Sequence, residues 1–367
     1  MRDPLEAVKP AVRGIKAYSL HPHRAVIKIN QNENPFDMPS EIKDEVSRRL
    51  DRRPWSRYPD FVASELLEQL AAFAGWRPEG TLAGNGSNEL IQAVLAVLVG
   101  PGIRVVIPEP TFTLYRQIVT IFGGEIISVP LTERFSFDVP GLMRATADLR
   151  GGILILCSPN NPTGCRVEDQ DLIALARGFD GIVIVDEAYH EFARHTTVPL
   201  LRELPNLIVL RTFSKAMAMA GLRVGYMLAS DELTREVHKA TLPYNLNFVS
   251  STVARVACER YEALLKPLVE TLISERDRLS AAVELIPGLY PVPSQANFFL
   301  VKTVLRPQRL FEELLRRDIL VRDVSHYPML GDCLRLSVGR PEENDVVISA
   351  LQDIMRKAGA PDPMIRD

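Results

Sequence analysis

The sequence predicts an α/β protein: a large domain on a covered, mostly parallel sheet, with a smaller α+β domain behind it. Three observations carry this reading. Between about residues 80 and 230, short β-branched runs recur: Val105 to Ile107, Ile126-Ile127, Ile153 to Leu156, Ile182 to Val185 and Leu207 to Leu210. They are apolar on both faces, as strands covered by helices on either side must be. Helical patterns lie between most of them, including Leu90, Ile91, Val94, Leu95 and Leu98, then Leu172, Ile173, Leu175 and Ala176. That alternation is how a doubly wound sheet is built. After about residue 245 the texture changes to one long helical stretch and two isolated strands.

The elements follow in order. Residues 1–28 read as an irregular N-terminal arm, with Pro4, Pro10 and His21-Pro22-His23. The large domain is expected over 29–245. It starts with the turn-prone Gln31-Asn32-Glu33-Asn34-Pro35, and Pro39-Ser40 then opens a helix with Ile42, Val46 and Leu50 on one face. Arg57-Tyr58-Pro59-Asp60 is a loop, and Leu66, Leu67, Leu70 and Phe73 mark a second helix. Gly84-Asn85-Gly86 precedes a further amphipathic helix, with no strong strand evident before it. The small domain is expected over 246–367. A polar-rich helical stretch over 251–284 bridges the two domains and stops at Ile286-Pro287-Gly288. Strands at 297–301 and 334–338 flank a helical segment at 307–317.

Composition narrows the function. The 367 residues hold 43 Lys+Arg against 46 Asp+Glu, and this near-balance, with no dense basic run, argues against a nucleic-acid partner. Cys157, Cys165, Cys258 and Cys333 form no CxxC pair, so reduced thiols and a cytoplasmic location are expected. The N-terminus lacks an apolar signal region, and the apolar stretch from Ala93 to Val99 is too short to span a membrane. No metal is expected, because nothing supplies further ligands to His21 and His23. Neither GxxxxGK[ST] nor GxGxxG is present, which argues against a nucleotide-binding enzyme.

Ligands of open α/β sheets sit beyond the carboxyl ends of the strands. There the sequence places Pro159-Asn160-Asn161-Pro162-Thr163-Gly164, then Asp186-Glu187-Ala188-Tyr189, then Arg211-Thr212-Phe213-Ser214-Lys215. An amide, an acid, a phenol and an amine thus converge on one rim. Pyridoxal phosphate accounts for that set. A lysine forms a Schiff base with its aldehyde, and an acid keeps its pyridine nitrogen protonated. Lys215 takes the first role and Asp186 the second, while Tyr189 and Asn161 bond the 3-oxygen. The phosphate finds donors at Gly86, Ser87 and Asn88 where a helix starts, and at Thr212, Ser214 and Arg223. Phe112 is placed to stack on the ring.

These residues carry a family resemblance. The chain resembles the fold-type-I, class I/II aminotransferases, and within them most of all the histidinol-phosphate aminotransferases. The matching pieces are Asn32-Glu33-Asn34-Pro35, Arg57-Tyr58-Pro59-Asp60, Gly86-Ser87-Asn88-Glu89, Pro159 to Gly164, Asp186 to Tyr189, Ser214-Lys215 with Gly221-Leu222-Arg223, Ala296-Asn297-Phe298 and Leu334-Arg335-Leu336. They run in family order from about 30 to 340. The resemblance implies a seven-stranded, mostly parallel sheet, a pyridoxal phosphate cofactor, a small-molecule amino donor with a 2-oxo acid acceptor, and a homodimer with shared sites. It assigns proton transfer to Lys215 and gives Tyr58 to the cofactor phosphate of the neighbouring subunit. Arg335, with Arg322 assisting, binds the substrate's anionic group, and Tyr18 and Asn34 join the substrate site. The donor it favours is L-histidinol phosphate, with 2-oxoglutarate as acceptor. The alternatives are an aromatic amino acid aminotransferase, a threonine-phosphate decarboxylase and, in a different class, a non-catalytic binding module. The chain departs from the family's usual pattern at Phe112, often tyrosine, at Asn88, often aspartate, and over Ala216 to Ala220 after the lysine.

Overall fold

Every expected apolar run is a strand in the computed structural model, which describes residues 3–17 and 23–359. Tyr18, His21 and Pro22 lie outside the described residues. A short strand β1 (Ile27–Lys28) comes first. The large sheet is made of β2 (Thr81–Gly84), β3 (Arg104–Glu109), β4 (Glu125–Pro130), β5 (Gly152–Cys157), β6 (Gly181–Asp186), β7 (Leu207–Thr212) and β8 (Gly225–Leu228). Its order is β2-β8-β7-β6-β5-β3-β4. All neighbours are parallel except β8, which runs against both β2 and β7. Six carboxyl ends therefore share one rim, and the amino end of β8 joins them.

Both faces of the sheet are buried along its central strands. Along the central strands, alternate residues enter opposite cores: Leu154, Leu156, Val183, Val185, Leu207 and Val209 one, and Ile153, Ile155, Ile184, Ile208 and Leu210 the other. A two-residue period in a strand apolar throughout demands this. The helices Ser87–Leu98 and Leu114–Phe122 cover the second face, while Ser40–Asp51, Ser64–Ala74 and Asp169–Arg177 cover the first.

The smaller unit is a four-stranded antiparallel sheet, formed from β9 (Leu289–Pro291), β10 (Phe298–Thr303), β12 (Arg322–Asp323) and β13 (Cys333–Ser337) in the order β12-β13-β10-β9. Between them β11 (Ile319–Leu320) pairs in parallel with β1. The helices Lys266–Glu284, Pro307–Leu315 and Pro341–Lys357 pack on this unit through Leu279, Val283, Leu310, Leu314, Val347 and Leu351.

Packing shifts the expected boundaries at two places. The helical stretch expected over 251–284 is the helix Phe248–Arg260, a π-helical turn Tyr261–Leu265 and the helix Lys266–Glu284. Val253, Ala254, Val256, Ala257 and Leu265 enter the large unit's core, whereas Leu279 and Val283 enter the small unit's. The stretch packs on both units, and its change of partner falls within it rather than at 245. Likewise Ile27 and Ile29, expected in the arm and the large domain, pack with the small unit because β1 pairs with β11. Two strands of the large sheet escape the sequence reading, β2 and β8. Each has four residues and neither carries a β-branched run. Among the described residues, no helix is long and apolar enough to cross a membrane.

Candidate active site

Register brings the strand ends together. Cys157 pairs with Asp186 across β5–β6, while Thr212 and Gly84 both pair with Gly225 at the start of β8. The segments that follow enclose a cavity of about 400 Å³, lined by Ser87, Asn88, Phe112, Asn161, Asp186, Tyr189, Thr212, Ser214, Lys215 and Arg223 from the large unit, and by Arg322 and Arg335 from the small one. Thus all but four of the expected site residues meet at one place.

Asp186 ends β6 and is 3 % exposed. Burial pushes its carboxyl up to about 6, against the Tyr115 phenol, the Ala188 N–H and the Lys215 ammonium, which all favour the ionised form. Tyr115 donates to Oδ2 at 2.6 Å and Ala188 to Oδ1 at 3.1 Å. Lys215 lies three residues past β7. Burial pulls its ammonium down to about 8, helped by the positive charges of Arg335 and Arg223 and opposed by Glu33. Its Nζ donates to the Gln31 carbonyl at 2.8 Å. An amine so displaced carries a much larger neutral, nucleophilic fraction near neutrality than an ordinary lysine.

Tyr189 is buried against Phe298 with its phenol oxygen accepting from Asn32 Nδ2 at 3.0 Å, which leaves its own proton to donate. Burial raises its ionisation well above the usual range, so it stays a phenol. The Asn161 Oδ1 accepts from Arg335 at 2.5 Å, which turns its amide N–H groups to other acceptors.

At the start of the helix Ser87–Leu98 the backbone forms a cradle. Gly86 sits at φ +83°, and a Cβ there would strike the Arg223 guanidinium. A Cβ on Gly225 would strike the Ser87 backbone nitrogen. Arg223 donates to Ser214 Oγ at 3.1 Å, and Thr212 donates to the same oxygen at 3.0 Å. Helix N–H groups, two serines, a threonine and a guanidinium make an anion site. The small unit adds two more cations. Arg322 and Arg335 are directly opposed across β12–β13. Arg335 is 6 % exposed, lies over the Phe298 ring and donates to the Asn30 carbonyl at 2.7 Å.

The remaining four behave differently. Gly86 shapes the cradle from behind Arg223 rather than lining the cavity. Asn34, expected at the substrate, does not line the cavity; it donates to the Ala216 carbonyl at 3.0 Å and accepts from the Phe36 N–H, and so holds the segment after Lys215. Tyr58 is 80 % exposed, stacks on Tyr244 and does not line this cavity. Tyr18 lies outside the described residues. Tyr115 was missed as a site residue, because at 115, 118 and 119 it reads as one more apolar helix position. Tyr327 also lines the cavity without having been expected there.

The residues present fit pyridoxal phosphate. An anion cradle built by two glycines, a buried carboxylate, an amine of depressed basicity and an aromatic wall at Phe112 border one volume. Fold and site together define an α/β transferase centred on a lysine and an aspartate. The model of the aminotransferase class I and II family matches residues 24–351. Histidinol-phosphate aminotransferase of Chlorobium phaeobacteroides is 39% identical over 354 residues, 96% of this chain and 98% of that protein. The Chlorobaculum tepidum histidinol-phosphate aminotransferase is 36% identical over 95% of this chain and its whole length. The structure of histidinol-phosphate aminotransferase from Sinorhizobium meliloti in complex with pyridoxal-5'-phosphate shares the fold at a TM-score of 0.86 and 24% identity, over 96% of this chain and 98% of that one. The chain belongs to the class I and II aminotransferase family. Its seven-stranded sheet and small α+β unit are the fold-type-I architecture, and the family implies pyridoxal phosphate as the cofactor.

Proposed function

We propose that the chain transfers the amino group of L-histidinol phosphate to 2-oxoglutarate, giving imidazole acetol phosphate and L-glutamate, in histidine biosynthesis. The observation that carries this choice of donor is the opposed pair Arg322 and Arg335 on the cavity wall. Like charges directly across a strand pair repel, and a substrate phosphate accepts from two guanidiniums where an α-carboxylate is served by one. The relatives at 36–39% identity carry the same activity in their names.

When bound, pyridoxal phosphate supplies an aldehyde for the amine and a cationic ring that accepts the electrons freed as the substrate Cα–H bond breaks. The chain's residues do the rest. Ser87, Asn88, Thr212, Ser214 and Arg223 hold the phosphate, and Phe112 packs on the ring. Asp186 keeps the ring nitrogen protonated, and that cation in turn draws the carboxyl back to its ionised form. Tyr189 and Asn161 donate to the 3-oxygen. Lys215 would hold the cofactor through its aldehyde and, once freed by the substrate amine, would be the base that moves the substrate Cα proton. Arg322 and Arg335 orient the substrate phosphate.

A second copy of the chain completes the site. Trp55, Tyr58, Phe61 and Leu242 are exposed together, Tyr58 and Phe61 both against Tyr244, and a homodimer that buries this patch brings Tyr58 to its neighbour's cofactor phosphate. Four cysteines without a CxxC pair support a cytoplasmic location.

The test has two parts. Purified protein is expected to be yellow, and borohydride is expected to fix the cofactor on Lys215. Protein that takes up no pyridoxal phosphate overturns the reading. Turnover is then compared for histidinol phosphate, phenylalanine and threonine phosphate, with histidinol phosphate expected to be preferred. Arg322→Ala is expected to lower kcat/KM for histidinol phosphate roughly 10- to 100-fold, the worth of a charged hydrogen bond, while sparing phenylalanine. Equal losses on both would remove the phosphate role from Arg322.

A further inference from the structure

We infer that Tyr115 is a positioning residue whose phenol aims the Asp186 carboxylate into the cavity and keeps it ionised there. The inference rests on the reading that the cavity takes pyridoxal phosphate. Tyr115 is 1 % exposed in the first turn of the helix Leu114–Phe122, and its hydroxyl meets Oδ2 at 2.6 Å. The Ala188 N–H holds the other oxygen at 3.1 Å. The carboxylate is thereby pinned at both oxygens, and each keeps lone pairs for a ring nitrogen. The Tyr115 ring stands edge-on to Phe112 at 5.5 Å between centroids, so one helix start sets both the ring wall and the acid.

The other groups facing Asp186 do not replace this donor. Burial holds the Cys157 thiol on β5 and the Tyr189 phenol well above their usual ionisation, so both are neutral. Glu187, the next residue, stays ionised despite its burial because the Arg211 guanidinium lies 2.9 Å away, and its charge opposes that of Asp186. Lys215 attracts the carboxylate, but its own basicity is lowered. Tyr115 itself is pushed far above the usual phenol range, chiefly by burial, so it acts only as donor.

Tyr115→Phe keeps the ring and removes the donor. 3-Fluorotyrosine at 115 keeps the shape and strengthens the donor. Apoprotein affinity for pyridoxal phosphate is measured against pH for wild type and both variants, alongside the acid limb of kcat/KM. The free cofactor's own titrations are common to all three proteins. The acid midpoint is expected to rise by about one pH unit in Tyr115→Phe, the worth of one hydrogen bond to a charge, and to fall in the fluorotyrosine protein. A role in packing alone moves neither. Coincident midpoints overturn the inference. If the Phe variant does not fold, an unmoved midpoint in the fluorotyrosine protein overturns it equally. Wild-type apoprotein that binds no cofactor defeats the underlying reading, an outcome distinct from binding with coincident midpoints.

Discussion

One burial acts on Asp186 and Lys215 in opposite directions, raising the acid to about 6 and lowering the base to about 8. Removing water disfavours whichever form is charged. The consequence for Asp186 is measurable without cofactor. Between pH 3.8 and about 6 the folded apoprotein holds a proton that the unfolded chain has released. Stability therefore falls as pH rises through that window, by about 3 kcal/mol for a shift of this size. Asp186→Asn is expected to abolish that component in urea denaturation of the apoprotein at pH 4 and pH 6.5, and an identical pH slope in the variant would refute it. At this level much was legible. Asn161, Asp186, Tyr189 and Lys215 stand at strand ends, and strand ends follow from local apolar runs. Tyr115 was not legible, because its partner is 71 residues away and a helical period encodes burial rather than a polar contact.

The anion cradle depends on β8 running opposite to its neighbours. Its first residue, Gly225, lies between Gly84 and Thr212, and so brings Arg223 beside the start of the helix Ser87–Leu98. Glycine is needed at 225 because the Ser87 backbone occupies the space a Cβ would take. Gly225→Ala must push that backbone aside, with an expected loss of about 1–3 kcal/mol. Cofactor affinity is expected to fall roughly tenfold with the displaced donors, read by equilibrium dialysis of the apoprotein. Unchanged affinity would show that the Ser87 N–H groups do not hold the phosphate. The sequence reading found Gly86, Ser87 and Arg223 but not why they meet. The strands that join them, β2 and β8, are four residues long and pair across more than 140 positions, which no local pattern records.

In the whole molecule, two units close on one cavity, the large one supplying Lys215 and Asp186 and the small one Arg322 and Arg335. The proposed homodimer rests on what is left uncovered. Trp55 at 73 % exposure lies edge-on to Phe248, and Leu242 at 74 % exposure borders the same cleft as Phe61, apolar surface that a lone chain would leave in water. The protein is expected to sediment as a dimer at micromolar concentration, with Tyr58→Ala weakening cofactor binding while leaving each chain folded. A monomer with full cofactor affinity would contradict this. The sequence alone determined the layered α/β class, the order of its parts and the residues at the strand ends, because burial on both faces of a strand is written into consecutive side chains. The three-dimensional packing decided which elements belong together across 245, which arginine opposes which, and which phenol meets the buried acid. These depend on contacts between distant segments, and each such contact is specified only when both partners are folded against the same core.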